Sequence, residues 1–259
     1  MTNVADTTEP NRAGPLITQV VLYALPIVIL GSLTAIYAIS PEFYLTWILE
    51  SQQRETQAVE ISTFIAGLIA SILLARAAWL ITRSLWPNKP DRSTVAIIVM
   101  IAAATIFFTG EEISWGQSYL GWKTPENYAG GETNLHNVDL PIRIQSLGSL
   151  FLIVMFFGIP IAWAFRQKLN LPESWRLIVA PGPVIFTFAC AFAWSRVKDL
   201  YRTLYPEAEK NQADVYVQFV EQMKEHKELL FAIALLMYGL HVLRQYRQTR
   251  SPSGKSPGI

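Results

Sequence analysis

Residues 62–85 read STFIAGLIASILLARAAWLITRSL. A helix needs about 20 mostly apolar residues to cross the hydrocarbon core of a bilayer. This run supplies them. Its interior charge, Arg76, sits towards one end, where a long side chain reaches the headgroup layer. Five further stretches have the same character: Pro15 to Ile39, Thr94 to Thr109, Leu147 to Phe165, Leu177 to Trp194 and Leu229 to Leu243. The expected fold is an all-α polytopic membrane protein of about six transmembrane helices. A segment at 1–14 leads into a membrane domain at 15–247. A tail at 248–259, Ser-, Pro- and Gly-rich from Ser251 to Gly258, is expected to be disordered.

Composition agrees. Of 259 residues, 51% are hydrophobic and only 16% charged, against about a quarter charged in soluble domains. A net charge of +1 gives no ground for nucleic-acid binding. One cysteine, Cys190, excludes an internal disulfide framework and any Cys-rich zinc or iron–sulfur site.

Lys and Arg set the expected orientation, because they favour the cytoplasmic side. Arg83, Lys89 and Arg92 follow the second span. Arg166, Lys168 and Arg176 follow the fourth. Arg244, Arg247, Arg250 and Lys255 follow the sixth. Both termini are therefore expected in the cytoplasm. Segments near 40–61, 110–146 and 195–228 are expected at the outer face. Arg196, Lys198 and Arg202 oppose this assignment and are outvoted. Trp47, Trp86 and Trp175 fall where an aromatic belt would lie. The first span reads as a retained helix, since the small-residue site Ala38-Ile39-Ser40 is followed by Pro41.

Acids at span ends need an explanation, because a carboxylate at a hydrophobic edge is costly unless paired, protonated or hydrated. The third span runs into Gly110-Glu111-Glu112-Ile113-Ser114-Trp115-Gly116-Gln117. Trp115, Tyr119 and Trp122 would share one helical face, as an interfacial helix requires. Thr124-Pro125-Glu126 has the form of a helix start. Glu132-Thr133-Asn134-Leu135-His136-Asn137 follows. Before the sixth span, Glu221, Glu225 and Glu228 share a helical face, with Gln222 and His226 on another. Glu60 opens the second span. The derived topology brings Glu60, Glu111, Glu112, His136, Glu225 and Glu228 to one membrane face. The same acids also read as hydrated interface groups, because the positive-inside rule leaves acids outside in any case.

The residues at 110–117, 124–126 and 132–137 together resemble the signature of a group of bacterial polytopic membrane proteins that is itself largely uncharacterised. The resemblance is specific over about 110–137 and looser at Glu60 and at the Glu-rich start of the sixth span. It implies a membrane location and importance for these positions, and it supplies no reaction; the expected location is the bacterial inner membrane. The group carries an arginine after the glutamine of the signature, where this chain has Ser118, so no anion-binding role carries over there.

Two functional readings stay open. In the first, the chain is an enzyme acting at the outer face on a lipid or lipid-linked substrate. Glu112 is then general base or metal ligand and His136 acid/base or ligand. Glu225 and Glu228 are further ligands, and Gln117, Asn134 and Asn137 hydrogen-bond. Glu112, His136 and Glu225 are the candidate ligands, and carboxylates with imidazole suit a divalent metal. A three-histidine zinc site is excluded, because His226 and His241 lie about 22 Å apart along one helix. In the second reading, the chain is a noncatalytic subunit or assembly factor. Its partner would be another membrane protein, docked on Trp115, Tyr119 and Trp122. A transporter is disfavoured, because the centres of the fourth and fifth spans lack ionisable groups.

Overall fold

The structure is a computed structural model that describes residues 13–48, 58–83, 91–112, 150–206, 219–220 and 223–250. Among these residues every regular element is helical. α1 spans Ala13–Ile39. The short α2, Pro41–Phe43, runs on into a wide π turn, Tyr44–Ile48. α3 is Ala58–Arg83 and α4 is Arg92–Glu112. α5 covers Leu150–Ala164, followed by α6, Arg166–Leu169. A 3₁₀ turn at Glu173–Leu177 precedes α7, Gly182–Leu204, and the last helix is α8, Met223–Arg250.

Among the described residues, four helices are long and apolar enough to cross a membrane: Ile17–Ile39, Ala58–Arg83, Arg92–Glu111 and Met223–Gln248. α5 is apolar but shorter. α7 differs from the expected fifth span at both ends. It starts only at Gly182, because Pro181 and Pro183 cannot sit inside a hydrogen-bonded helix and instead open one. It then continues past Trp194 through charged residues, where Arg196 pairs with Asp199 at 2.7 Å on its exposed surface. In α5, Pro160 lacks the N–H that would bond Phe156. The chain widens into a π turn at Val154–Gly158, directly before that proline.

Lipid is as apolar as leucine, so membrane helices associate through close packing and hydrogen bonds. The seam between α3 and α8 follows this rule. Ala70, Leu74 and Ala77 are fully buried. A Cβ on Gly239 would come within 3.1 Å of Leu73 Cβ. On the other side of α3, Gly67 faces Thr109 of α4, and Ser71 Oγ meets Thr109 Oγ1 at 3.2 Å. The buried hydroxyls of Thr63, Ser71, Thr105 and Thr109 each donate to the carbonyl four residues back. Each is thereby spared the cost of an unmet donor in an apolar setting.

These contacts fix directions. α3 and α8 run parallel, since Gly239 meets Leu73 while Tyr246 Oη donates to the Leu80 carbonyl at 3.0 Å. α7 runs antiparallel to α8: Phe188 stacks on Phe231, and Trp194 reaches His226. α1 runs alongside α7, with Tyr23 against Phe186. α4 returns beside α3 in the opposite sense. One end of the bundle therefore gathers the starts of α3 and α8 and the ends of α1, α4 and α7.

The other end is tied by polar contacts. Tyr238 Oη donates to the Ile178 carbonyl at 2.8 Å. Trp175 Nε1 donates to Ser93 Oγ at 2.9 Å, and Ser174 Oγ meets Thr94 Oγ1 at 2.8 Å. Trp175, expected in an aromatic belt, is thus anchored to the start of α4.

Candidate functional site

The end that gathers the starts of α3 and α8 is the acidic one. Glu60 lies in the first turn of α3, Glu225 in the first turn of α8, and Glu228 one turn further on. α4 terminates at Glu111 and Glu112 at the same end. The opposite end carries Arg83, Arg92, Arg176, Arg244 and Arg247.

Three of the acids are drawn together. Glu228, Glu60 and Lys224 all lie within electrostatic reach of Glu225. Lys224 Nζ stands 3.5 Å from Glu228 Oε1. All three carboxyls are half-buried. A half-buried group interacts more strongly with its neighbours than a hydrated one, because the local dielectric is lower.

Beside this cluster lies a box of aromatic rings that sequence reasoning missed. His226 is 0% exposed. Its Nε2 is hydrogen-bonded to the Tyr44 hydroxyl, and its Nδ1 accepts from Trp194 Nε1 at 3.1 Å. Phe219 packs within 5.7 Å of the imidazole, centroid to centroid, and stacks on Tyr37 at 4.4 Å. Val59, Met223 and Leu229 share the same apolar cluster, so the box adjoins Glu60, Glu225 and Glu228 along the chain.

Local sequence explains how Tyr44 is delivered. α1 stops at Ile39, where Ser40 leaves helical geometry and Pro41 opens the next turn. Ser40 Oγ accepts from the Phe43 amide at 3.4 Å, and the Tyr44 amide donates to the Ser40 carbonyl at 3.0 Å. The reversal turns Tyr44 back against Tyr37, ring centroids 5.4 Å apart. Burial, and to a lesser degree Tyr37, pushes the Tyr44 hydroxyl well above its ordinary range, so it keeps its proton.

Of the residues expected at the site, Glu60, Glu225 and Glu228 come together. The backbones of Glu111 and Glu112 end α4 at the same level. Trp115, Gln117, Asn134, His136 and Asn137 lie outside the described residues, as do Glu221, Tyr119 and Trp122. Among the described residues no group of three or more His, Cys, Asp or Glu is arranged to hold a metal ion. Glu225 is thus the one metal-ligand candidate whose side chain is described, and its partners there are carboxyls and a lysine. His226 was readable only as a neighbour of Gln222 on a helical face. Its partners Tyr44 and Trp194 lie 182 and 32 residues away in sequence.

No family model, curated protein or solved structure matches the chain.

Proposed function

We propose that the protein is a six-span inner-membrane protein with both termini in the cytoplasm. In this reading its acidic end is an outer-face site acting on a lipid or lipid-linked substrate. Glu225 and Glu228 serve as the acid/base pair, with Glu60 holding the local field negative. Glu112 and His136 complete the site. Membrane lipids supply the substrate, and a divalent metal, if one is used, joins through Glu112, His136 and Glu225. The likeness of residues 110–137 to a group of bacterial membrane proteins supports the location.

One observation carries the reading. Carboxyls from two separate helices, Glu60 on one and Glu225 and Glu228 on the other, lie half-buried within electrostatic reach of one another. A docking surface of hydrated acids would leave them splayed and independent.

The test is a lipid profile by mass spectrometry. A host strain lacking the chain is complemented with wild type, Glu225→Gln or Glu112→Gln, each checked for membrane insertion. Wild type should restore a lipid species that the inserted variants do not. Full restoration by both variants would reject the acid/base roles. No lipid difference between the empty strain and wild type would favour the noncatalytic subunit.

That second reading has its own support in α1. This helix exposes Ile17, Val20, Val21, Ile27 and Val28 and packs chiefly against α7 and the turn that follows it. A partner helix could occupy that side. Native electrophoresis of the solubilised membrane would then show the chain in a larger complex.

A further inference from the structure

α3 turns two faces inward. One meets Gly239 of α8 through Ala70 and Leu74, and the other meets Thr109 of α4 through Gly67 and Ser71. The third face is built differently. Ile65, Ile69, Ile72, Arg76, Trp79 and Arg83 follow one another at steps of four and three, so they form one row along the helix. All six are exposed. Packed helix contacts in a membrane favour small residues, and this row carries large ones. It suits acyl chains better than another helix.

Arg76 stands inside that row. α4 runs opposite to α3, with Gly67 against Thr109. Nine residues after Gly67 comes Arg76, and nine before Thr109 comes Met100, which is itself exposed. Arg92, where α4 opens, lies eight residues nearer the basic end, about 12 Å at a 1.5 Å rise per residue. A charge at such a depth is costly in hydrocarbon. Side chains also leave a helix tilted towards its N-terminus. For α3 that is the acidic end, so the Arg76 stem starts away from the nearer headgroups. Trp79, one turn on, belongs to a residue type that settles at headgroup level. Arg83 lays its guanidinium over the Trp79 ring, 4.8 Å from the centroid. Two guanidinium groups thus flank an indole on one exposed row.

We infer that this row is a binding site for an anionic phospholipid. Arg76 and Arg83 hold the headgroup phosphate, drawn inward to Arg76, and the acyl chains lie along Ile65, Ile69 and Ile72. A guanidinium matches a phosphate in charge and in the planar geometry of its donors. The inference rests on the membrane reading and not on the chemistry proposed at the acidic end.

For the test, the full-length protein in detergent is offered equal amounts of phosphatidylglycerol and phosphatidylcholine with matched acyl chains. Bound lipid is counted by native mass spectrometry. Wild type should retain phosphatidylglycerol in preference. Arg76→Gln and Arg83→Gln should each cut that preference about fivefold, the weight of one basic residue near an anionic surface. Arg76→Lys keeps the charge and should keep most of the preference. Arg247→Gln removes the same charge at the same end, but from α8, and should leave the preference unchanged. No preference in wild type, or an equal cut by Arg247→Gln, would overturn the site. So would a partner protein that leaves the chain in Arg76→Gln on native electrophoresis, since the row would then face another helix. Carbonate extraction tells two failures apart. A chain washed from the membrane loses the membrane reading itself, whereas one that stays embedded without lipid preference loses only this site.

Discussion

Tyr246 of α8 donates its hydroxyl to the carbonyl of Leu80 on α3 at 3.0 Å, although 166 residues separate them in sequence. Seven residues before Tyr246, Gly239 lies against Leu73, seven before Leu80. Equal steps on both helices mean a parallel pair in constant register. Carried to the start of both helices, that register puts Glu225 level with Val59, one residue before Glu60. The acidic site is thus set by a seam of alanine and glycine about 20 Å away, at a 1.5 Å rise per residue.

Glu60 and Glu225 should therefore be energetically coupled. Glu60→Gln, Glu225→Gln and the double variant would be compared by thermal unfolding in one detergent at fixed salt. Neighbours in one network show interaction energies of about 0.5–3 kcal/mol, whereas independent sites add within about 0.3–0.5 kcal/mol. The double variant should fall short of the sum by the larger amount. Strict additivity would return both acids to the status of separate hydrated groups.

The fold was readable to the extent that hydrophobic length decides it. The stretches from Pro15, Ser62 and Thr94 became α1, α3 and α4 with shifts of a few residues at their ends. Local charge blurred the rest. α8 begins at Met223 rather than Leu229, because its first turns carry Lys224, Glu225, Lys227 and Glu228, which break the apolar run without breaking the helix. The convergence of the acids was legible because alternating spans force it. The aromatic box was not. A lone His226 between charged neighbours gives no periodic sign of Tyr44 or Trp194; the register of α7 against α8 brings Trp194 to it, and the turn after α1 brings Tyr44.

The close approach of α3 and α4 gives a contrast of two glycines. A Cβ on Gly67 would stand 2.6 Å from Thr109 Oγ1, forcing that hydroxyl off both Ser71 and the Thr105 carbonyl. Overpacking of this kind costs about 1–3 kcal/mol. Gly31 on α1 has nothing within 4 Å, and alanine in mid-helix gains about 0.5–1 kcal/mol over glycine. Gly67→Ala should lower the melting temperature in detergent, and Gly31→Ala should leave it unchanged or raise it. Equal behaviour of the two would refute the α3–α4 contact.

Asp91 precedes α4, and its carboxylate accepts from the Ser93 amide at 2.9 Å and from the Ser93 hydroxyl. These bonds hold Asp91 below its ordinary value of 3.8. A depressed folded value means that the carboxylate's contribution is complete above the unfolded value and fades as pH falls through the lower, folded one. Hydrogen exchange at the Ser93 amide, corrected for intrinsic rate, should therefore stay protected down to about pH 4 and lose protection below it. In Asp91→Ala the protection should be weak at every pH. A wild-type profile with no acid transition would show that the cap does not operate.

Orientation rests on the separation of charge between the two ends. Arg83, Arg92, Arg176, Arg244 and Arg247 mark one end, and Glu60, Glu111, Glu225 and Glu228 the other. Basic residues in short loops hold to the cytoplasmic side. Arg196, Lys198 and Arg202 stand at the acidic end and favour the reverse, but Arg196 is paired with Asp199 within the same helix. On balance, the acidic end should face outward. A reporter active only in the cytoplasm should work when fused after Ile259 and fail when inserted near Gly130. A reporter active only outside should do the opposite. The proposed even number of spans is tested together with the side, because an odd number would send Gly130 and the C-terminus to the same face or move the termini apart. An outside signal at Ile259, or a cytoplasmic one near Gly130, would place the segment carrying His136 away from Glu225, and no single site could then contain both.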